Sequence, residues 1–182
     1  MNKQLIALLS ILLLLSVSSC APVLKQDTMD AGLREFSLSD MGKNPGAYEG
    51  KLFILGGIIV GTRATQDGSL IEAVYVSVDP RGYLKNIETP QNRFLALFPK
   101  ESGFLDPVIF RQNREITFAG EFQGLRQGKI DEMEYTYPFF IIEELYLWAE
   151  KKEYYYWPYY DGPYPYWWDY PYMWYGYPYS EW

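Results

Sequence analysis

The chain contains no histidine among its 182 residues, and this absence removes several kinds of active site. A catalytic serine or cysteine is usually activated by a neighbouring histidine. A zinc site built from cysteine and histidine is excluded by the same count. The sequence therefore predicts no catalytic residue, no metal site and no cofactor, and we expect a protein that is not an enzyme.

Basic residues are also scarce, since 16 Lys and Arg stand against 23 Asp and Glu, for a net charge of −7. Most nucleic-acid affinity comes from Lys and Arg side chains that displace counterions from phosphates. The composition therefore argues against a nucleic-acid partner. Two interpretations remain open for Arg63, Arg93, Arg111 and Arg114: a small anion site, or ordinary surface residues that are solvated or paired.

Cysteine occurs once, at position 20. Before it lie a short cationic start that includes Lys3 and an apolar run over residues 5–17, which is shorter than the roughly 20 residues needed to span a bilayer. This pattern is typical of a secretory signal peptide over residues 1–19. A lone cysteine in an exported protein cannot form an internal disulfide, so it is free, intermolecular or modified.

The stretch Val17-Ser18-Ser19-Cys20 resembles a bacterial lipobox. This resemblance implies that the signal is cleaved before Cys20 and that the cysteine carries acyl chains, palmitate among them, which anchor the mature protein in a membrane. Several acyl chains hold more firmly than one. Because Ala21 follows the cysteine, we expect the outer membrane, with the protein facing the periplasm.

Residues 20–34 are mixed and polar, which predicts a lipidated tether ahead of a domain over residues 35–150. Phe36 to Pro45 predicts a short N-terminal helix that Ser37 or Ser39 caps and that ends at Asn44, because a residue before proline is driven out of the helical region.

The rest of the domain has the short apolar and alternating runs that are typical of strands. Gly56-Gly57 predicts a bulge or bend in the first strand, Asp67-Gly68 closes a hairpin, and Asp79 and Pro80 begin a turn. The run over 93–98 is ambiguous between strand and helix. The predicted strands are residues 51–61, 70–78, 114–122 and 129–148. We expect an all-β fold, a small antiparallel barrel or sandwich similar to an OB-fold.

Several of these stretches together resemble the Slp family, the starvation-associated outer-membrane lipoproteins of Gram-negative bacteria. The resemblance covers roughly residues 20–148. It is carried by Cys20-Ala21-Pro22, by Tyr48-Glu49-Gly50-Lys51 after Pro45, by Leu55-Gly56-Gly57-Ile58-Ile59, by Arg93-Phe94-Leu95-Ala96, by Gly103-Phe104-Leu105-Asp106-Pro107, by residues 114–120 and by Tyr135-Thr136-Tyr137-Pro138. It implies a role in envelope integrity under starvation or acid stress. Asp106-Pro107 independently predicts a rigid corner between strands.

The main alternative to a non-catalytic protein is an activity that uses the carboxylates of Glu132 and Glu134. Alternate residues of a strand share one face, and a pair of carboxylates is sufficient for glycoside hydrolysis. The alternative is therefore an envelope-glycan-binding protein or a glycan hydrolase. Two exposed acids beside a turn are also an ordinary feature of a soluble surface.

The segment over residues 151–182 has the composition of a disordered, low-complexity tail. From residue 153 onward it holds twelve Tyr, five Trp and five Pro, with no Lys or Arg. Proline at five positions forbids a continuous helix and interrupts a strand. Three interpretations stay open: an extension without a partner, rings at the lipid–water interface, or rings that stack on envelope glycan or bind an outer-membrane protein. The candidate ligand-binding residues are Tyr156, Trp157, Trp167, Trp168 and Trp174.

Overall fold

The computed structural model describes residues 21–85 and 92–150, and the strands in these ranges form a closed barrel. They are β1 (Leu52–Thr65), β2 (Gly68–Val76), β3 (Arg93–Pro99), β4 (Glu115–Ile130) and β5 (Met133–Leu147). Their order around the barrel is β1-β2-β3-β5-β4, and β4 pairs back onto β1. The prediction of a small all-β barrel similar to an OB-fold is confirmed. One pair, β3 with β5, is parallel, and the sequence did not predict it.

Aromatic side chains fill the interior of the barrel. The rings of Phe53, Phe94, Phe118, Phe122 and Phe140 are fully buried and come from four of the strands. Their centroids lie 5.4 to 6.5 Å apart in the contacting pairs, mostly edge to face or tilted. Such pairs are favourable beyond the area that they bury, by about 0.5 to 1.5 kcal/mol each.

The paired glycines of β1 make room for this interior and its cover, and the predicted bulge at Gly56-Gly57 is wrong. Both glycines are in continuous register with β2 and with β4, and the irregularity lies between Ile59 and Gly61. A Cβ on Gly57 would lie 2.9 Å from the Phe94 ring. The glycines are therefore needed because larger residues would clash, and the strand stays regular through them.

The ambiguous run over residues 93–98 is a strand, because β2 pairs with one edge of it and β5 with the other. β5 also continues through Pro138, a residue that cannot donate a hydrogen bond to a neighbouring strand. The parallel pairing with β3 begins only at Phe139, so before that residue β5 pairs with β4 alone. Pro138 is thus tolerated at an edge.

A short helix packs against the barrel core, and the helix itself is predicted by the sequence. Helix α2 covers Leu38–Lys43, and the Ser37 hydroxyl accepts a hydrogen bond from the Asp40 N–H at 3.3 Å. The helix ends at Asn44, directly before Pro45. Leu38 and Met41 are buried against the barrel core.

The segment before that helix differs from the expected tether. Helix α1 covers Gln26–Ala31, and Leu24 and Met29 are buried against Ile54 and Ala119 on the outer face of the barrel. This cover explains why β1 and β4 are apolar on both faces. The predicted tether over residues 20–34 is therefore shorter than expected, since its apolar side chains belong to the fold.

The turn after β2 forms as predicted. The Asp79 carboxylate accepts hydrogen bonds from the N–H groups of Arg81 at 2.8 Å and Tyr83 at 2.9 Å. Burial raises the pKa of Asp79, but these two N–H groups and the Arg81 charge outweigh burial and hold the pKa below its usual value. The turn thereby presents the Arg81 carbonyl to the amino-terminal segment.

Replacing Gly57 with alanine tests the role of the paired glycines. We expect Gly57→Ala to lower the free energy of unfolding by about 1 to 3 kcal/mol, because the added methyl group overpacks the interior. The matched control is Gly61→Ala in the same strand, where a Cβ would meet nothing within 4 Å. Denaturant unfolding measures both. Equal effects of the two substitutions would contradict the packing explanation.

Candidate functional site

The site residues predicted from the sequence lie outside the described ranges. These are Cys20 in the lipobox-like stretch and the tail residues Tyr156, Trp157, Trp167, Trp168 and Trp174. They stay predictions. The described residues show how the chain enters and leaves the barrel next to them.

The amino end is held close to the barrel. The Val23 N–H donates to the Arg81 carbonyl at 2.9 Å, and the Lys25 N–H donates to Glu144 Oε1 at 2.9 Å. A carboxylate beside the first residues of helix α1 is favoured by the helix dipole. The first fixed contact therefore comes three residues after Cys20.

The last described residues before position 151 are fixed on the same side. The Trp148 indole N–H donates to Thr117 Oγ1 at 3.0 Å, and the Thr117 hydroxyl donates to the Gly82 carbonyl at 2.9 Å. Gly82 directly follows Arg81, and the Arg81 carbonyl accepts the hydrogen bond from the Val23 N–H. The carboxylate of Glu150 then pairs with Arg111 at 2.6 Å. The chain thus enters the barrel at Val23 and leaves it after Trp148, and hydrogen bonds through Gly82 and Thr117 connect these two points.

A partly buried polar cluster lies on the outer surface of β2, β3 and β5. Glu72 Oε1 accepts hydrogen bonds from the Arg93 guanidinium at 2.7 Å and from the Tyr137 hydroxyl at 3.1 Å. That hydroxyl also lies 3.0 Å from the Lys129 carbonyl, and its one hydrogen serves one acceptor at a time. Burial and the neighbouring Glu72 charge raise the pKa of Tyr137. The hydrogen bond that the Arg93 guanidinium donates to Glu72 raises the pKa of Arg93.

Two surface cavities adjoin these features. A cavity of about 130 Å³ beside the polar cluster is lined by Thr62, Arg63, Glu72 and neighbouring apolar groups. A groove of about 470 Å³ follows Asp30–Glu35 and reaches Ser77, Val78, Pro80 and Lys85. Lys85 is the last described residue before 86–91, so we assign this groove no ligand.

The four candidate arginines do not form an anion site. Arg93 is paired with Glu72, and Arg111 and Arg114 are both paired with Glu150. Within the described residues only Arg63 of the four makes no ion pair, and it borders the small cavity. The alternative of paired and solvated arginines is therefore the one the structure favours.

The carboxylates of the glycan-hydrolase alternative project at the tip of the β4–β5 hairpin. Glu132 lies in the two-residue loop between the strands, and Glu134 pairs in register with Lys129. Both are exposed and neither borders the cavities described above. The part of the chain that the structure describes contains no group of three or more His, Cys, Asp or Glu placed to hold a metal ion.

Two features of the described residues bear on membrane association: the length of the helices and the apolar groups on the surface. None of the helices in the described ranges has the length and apolar character needed to cross a bilayer. On the surface, the connection between β3 and β4 exposes the side chains of Phe104, Val108 and Ile109.

Comparison with known proteins identifies the family. The family model for the outer membrane lipoprotein Slp family matches residues 17–174, which is most of the chain. The chain belongs to the Slp family. The resemblance seen in the sequence is confirmed, and so is membership of a family of outer-membrane lipoproteins.

Two curated relatives are similar over part of their length. The outer membrane protein Slp of Escherichia coli is 35% identical over 51% of this chain and 47% of its own. An uncharacterized protein of Haemophilus influenzae is 30% identical over 55% of this chain and 53% of its own. The chain spans about half the length of the curated relatives it matches.

Among solved structures, the barrel matches the mitochondrial single-stranded DNA-binding protein Rim1 of S. cerevisiae. The TM-score is 0.32 and the identity 10%, over 54% of this chain and 95% of that chain. A match of this quality carries no argument about the function of this Slp family member.

Sequence reasoning missed two features of the site. Glu72 lies 21 residues from Arg93 and 65 residues from Tyr137, so no local pattern marks the cluster. Phe104, Val108 and Ile109 were visible only as part of an apolar stretch, and that stretch also contains the buried Leu105. Within residues 104–109, only the structure shows that Leu105 is buried while the other three apolar side chains are exposed.

Tyr137→Phe tests the polar cluster. We expect it to lower the free energy of unfolding by about 1 to 2 kcal/mol at neutral pH, because Glu72 and the Lys129 carbonyl lose their shared donor. The pKa of Tyr137 is higher in the folded than in the unfolded chain, so its contribution is complete below about pH 10 and is lost as the pH rises through the folded-state value. The difference between wild type and variant should therefore shrink above about pH 10.

The control for this prediction is Tyr146→Phe, since Tyr146 is 41% exposed. Its effect on denaturant unfolding should stay within about 0.5 kcal/mol. If the two variants lose the same stability, or if the Tyr137 difference does not change with pH, the cluster does not act as described.

Proposed function

We propose that the mature protein is anchored in the outer membrane by acyl chains on Cys20 and faces the periplasm. There it acts as a structural or binding lipoprotein that supports envelope integrity under starvation or acid stress, without catalysing a reaction. Residues 1–19 are the cleaved signal, and residues 151–182 are an extension available for binding.

The observation that carries this proposal is the extent of the family match. It starts at residue 17, ahead of the lipobox-like cysteine, and covers the barrel. The described fold supports an anchor at that position, because Ala21 is exposed and Val23 is already fixed to the Arg81 carbonyl. A lipid on Cys20 would therefore hold the barrel close to the membrane.

Cys20→Ser tests the anchor. Intact mass and labelled palmitate should show acyl chains on wild-type protein produced in a Gram-negative host, with Cys20 as the first residue. The serine variant should carry no label and should leave the membrane fraction, because the acyl chains supply the binding energy. A host strain that lacks the protein, complemented with each form, then reports envelope permeability under acid and starvation. Acyl chains on the Cys20→Ser variant, or a mature wild-type chain that begins at a residue other than Cys20, would contradict the proposal.

The partner of the aromatic extension belongs to the same proposal. Tyr156, Trp157, Trp167, Trp168 and Trp174 could stack on sugar faces or fill a groove on an outer-membrane protein, because aromatic rings combine an apolar face with a polar edge. The anchor on Cys20 limits the candidates to the envelope.

Deleting residues 153–182 tests this assignment. The midpoint of thermal unfolding should change by no more than about 2 °C, because the aromatic interior and the Trp148 contacts lie before the deletion. The deletion should abolish capture of peptidoglycan fragments, lipopolysaccharide or outer-membrane proteins by the soluble Cys20→Ser chain. A matched variant keeps the length and changes only the five candidate aromatics to serine. A large loss of stability, or unchanged capture, would contradict the assignment.

The glycan-hydrolase alternative receives no support from the geometry. Glu132 and Glu134 are exposed on a hairpin tip, whereas hydrolysis needs two carboxylates that flank one bond within a cleft. Glycan binding without hydrolysis remains among the outcomes of the capture experiment.

A further inference from the structure

The connection between β3 and β4 carries an apolar surface. Phe104 is 64% exposed, Val108 76% and Ile109 51%, and all three come from one stretch of six residues. Exposed apolar groups that lie together, unlike scattered ones, are typical of contact sites for proteins or membranes. We call these three side chains the apolar loop patch.

The loop that carries this patch is rigid. Leu105 is buried in the barrel core, and its N–H donates to the Ser69 hydroxyl at 3.0 Å. The Asp106 carboxylate accepts a hydrogen bond from the Val108 N–H at 2.8 Å, which confirms the corner expected at Asp106-Pro107. The Thr62 hydroxyl donates to the Phe110 carbonyl at 2.7 Å. These contacts hold the loop backbone in the conformation that exposes the three side chains.

The apolar loop patch lies on the side of the barrel where the chain ends are fixed. The Arg114 guanidinium donates to the Ile109 carbonyl at 3.0 Å and to the Trp148 carbonyl at 2.8 Å. From Trp148 the hydrogen bonds described above continue to the amino end. The residues that form this connected series are Ile109, Arg114, Trp148, Thr117, Gly82, Arg81 and Val23.

The short link to Cys20 limits how the barrel can face a membrane. Three residues of extended chain span at most about 11 Å. A barrel held by acyl chains on Cys20 must therefore turn the side that bears Val23 toward the bilayer. That side carries the apolar loop patch.

We propose that the apolar loop patch inserts into the lipid–water interface and forms a second membrane contact beside the acyl chains. This proposal rests on lipidation of Cys20. Aromatic and aliphatic side chains on a fixed loop suit the boundary between headgroups and acyl chains. The charges around the patch balance, since Lys100, Arg111 and Arg114 stand against Glu101, Asp106 and Glu150, so the attraction is apolar and does not require anionic lipid.

A second contact changes what the anchor does. Acyl chains on one residue keep the Val23 side of the barrel near the membrane but leave the barrel free to tilt and to spin about the short link. Once the chains are inserted, the patch faces the interface at a high effective concentration, so a weak apolar contact is sufficient to fix orientation. The barrel would then present one constant surface to the periplasm.

The experiment uses the full lipidated chain with Val108→Cys. Because acylation blocks the sulfur of Cys20, the new thiol is the one that reacts with an environment-sensitive fluorophore. The labelled protein is reconstituted into phosphatidylcholine–phosphatidylethanolamine vesicles that contain spin-labelled lipid. We expect a blue-shifted emission and at least about twofold stronger quenching by the lipid than for the control, because the label enters the interface.

The matched control is Met133→Cys at the tip of the β4–β5 hairpin. Met133 is 75% exposed and apolar, like Val108. It lies beyond the far end of the 16-residue strand β4, whose first residue is close to the loop. If each chain carries one label and the quenching is equal at positions 108 and 133, the membrane contact of the loop is contradicted, whereas lipidation of Cys20 is not. A blue shift at position 108 without lipid quenching indicates a protein contact and also overturns it. Two labels per chain show a free Cys20 and overturn lipidation together with this proposal.

Discussion

The fold depends on fitting aromatic rings into a barrel of only five strands. Phe140 lies at the centre of this packing, with its ring 5.4 to 6.2 Å from the rings of Phe53, Phe94, Phe118 and Phe122. Protein interiors are close-packed, so rings of this size need small residues opposite them, and Gly57 with two buried alanines supplies the space. A shift of one residue in strand register would turn these rings outward, which makes the register strongly specified.

Much of this architecture follows from local signals, and the rest depends on contacts between distant residues. The strands other than β3, the Ser37 cap and the Asp79 turn could be predicted because each is set by residues close in sequence. The parallel pairing of β3 with β5 and the burial of Met29 on the outside of the barrel could not, since both depend on elements that are far apart in the chain. For the same reason the Glu72 cluster has no sequence signal.

The amino-terminal segment shows how composition can mislead. Residues 22–34 are polar on average, yet the few apolar residues among them occur where they cover Ile54 and Ala119. Without that cover β1 and β4 would expose apolar side chains on their outer face. The segment is therefore part of the barrel's stability, and the link to Cys20 is correspondingly short. With the proposed acyl chains on Cys20, a short link would make the orientation of the barrel relative to the membrane a consequence of its fold.

The distribution of charge agrees with that orientation. β4 starts at Glu115 beside the apolar loop and reaches Ile130 after 16 residues, about 50 Å of strand path. At its far end the hairpin exposes Asp131, Glu132 and Glu134 against the single cation Lys129, a net negative charge that a negatively charged membrane surface would repel. The apolar loop and both fixed chain ends lie at the other end of the strand. The barrel thus carries the exposed apolar loop near the start of β4 and the acidic hairpin tip at its other end, which is the arrangement that the proposed membrane contact requires.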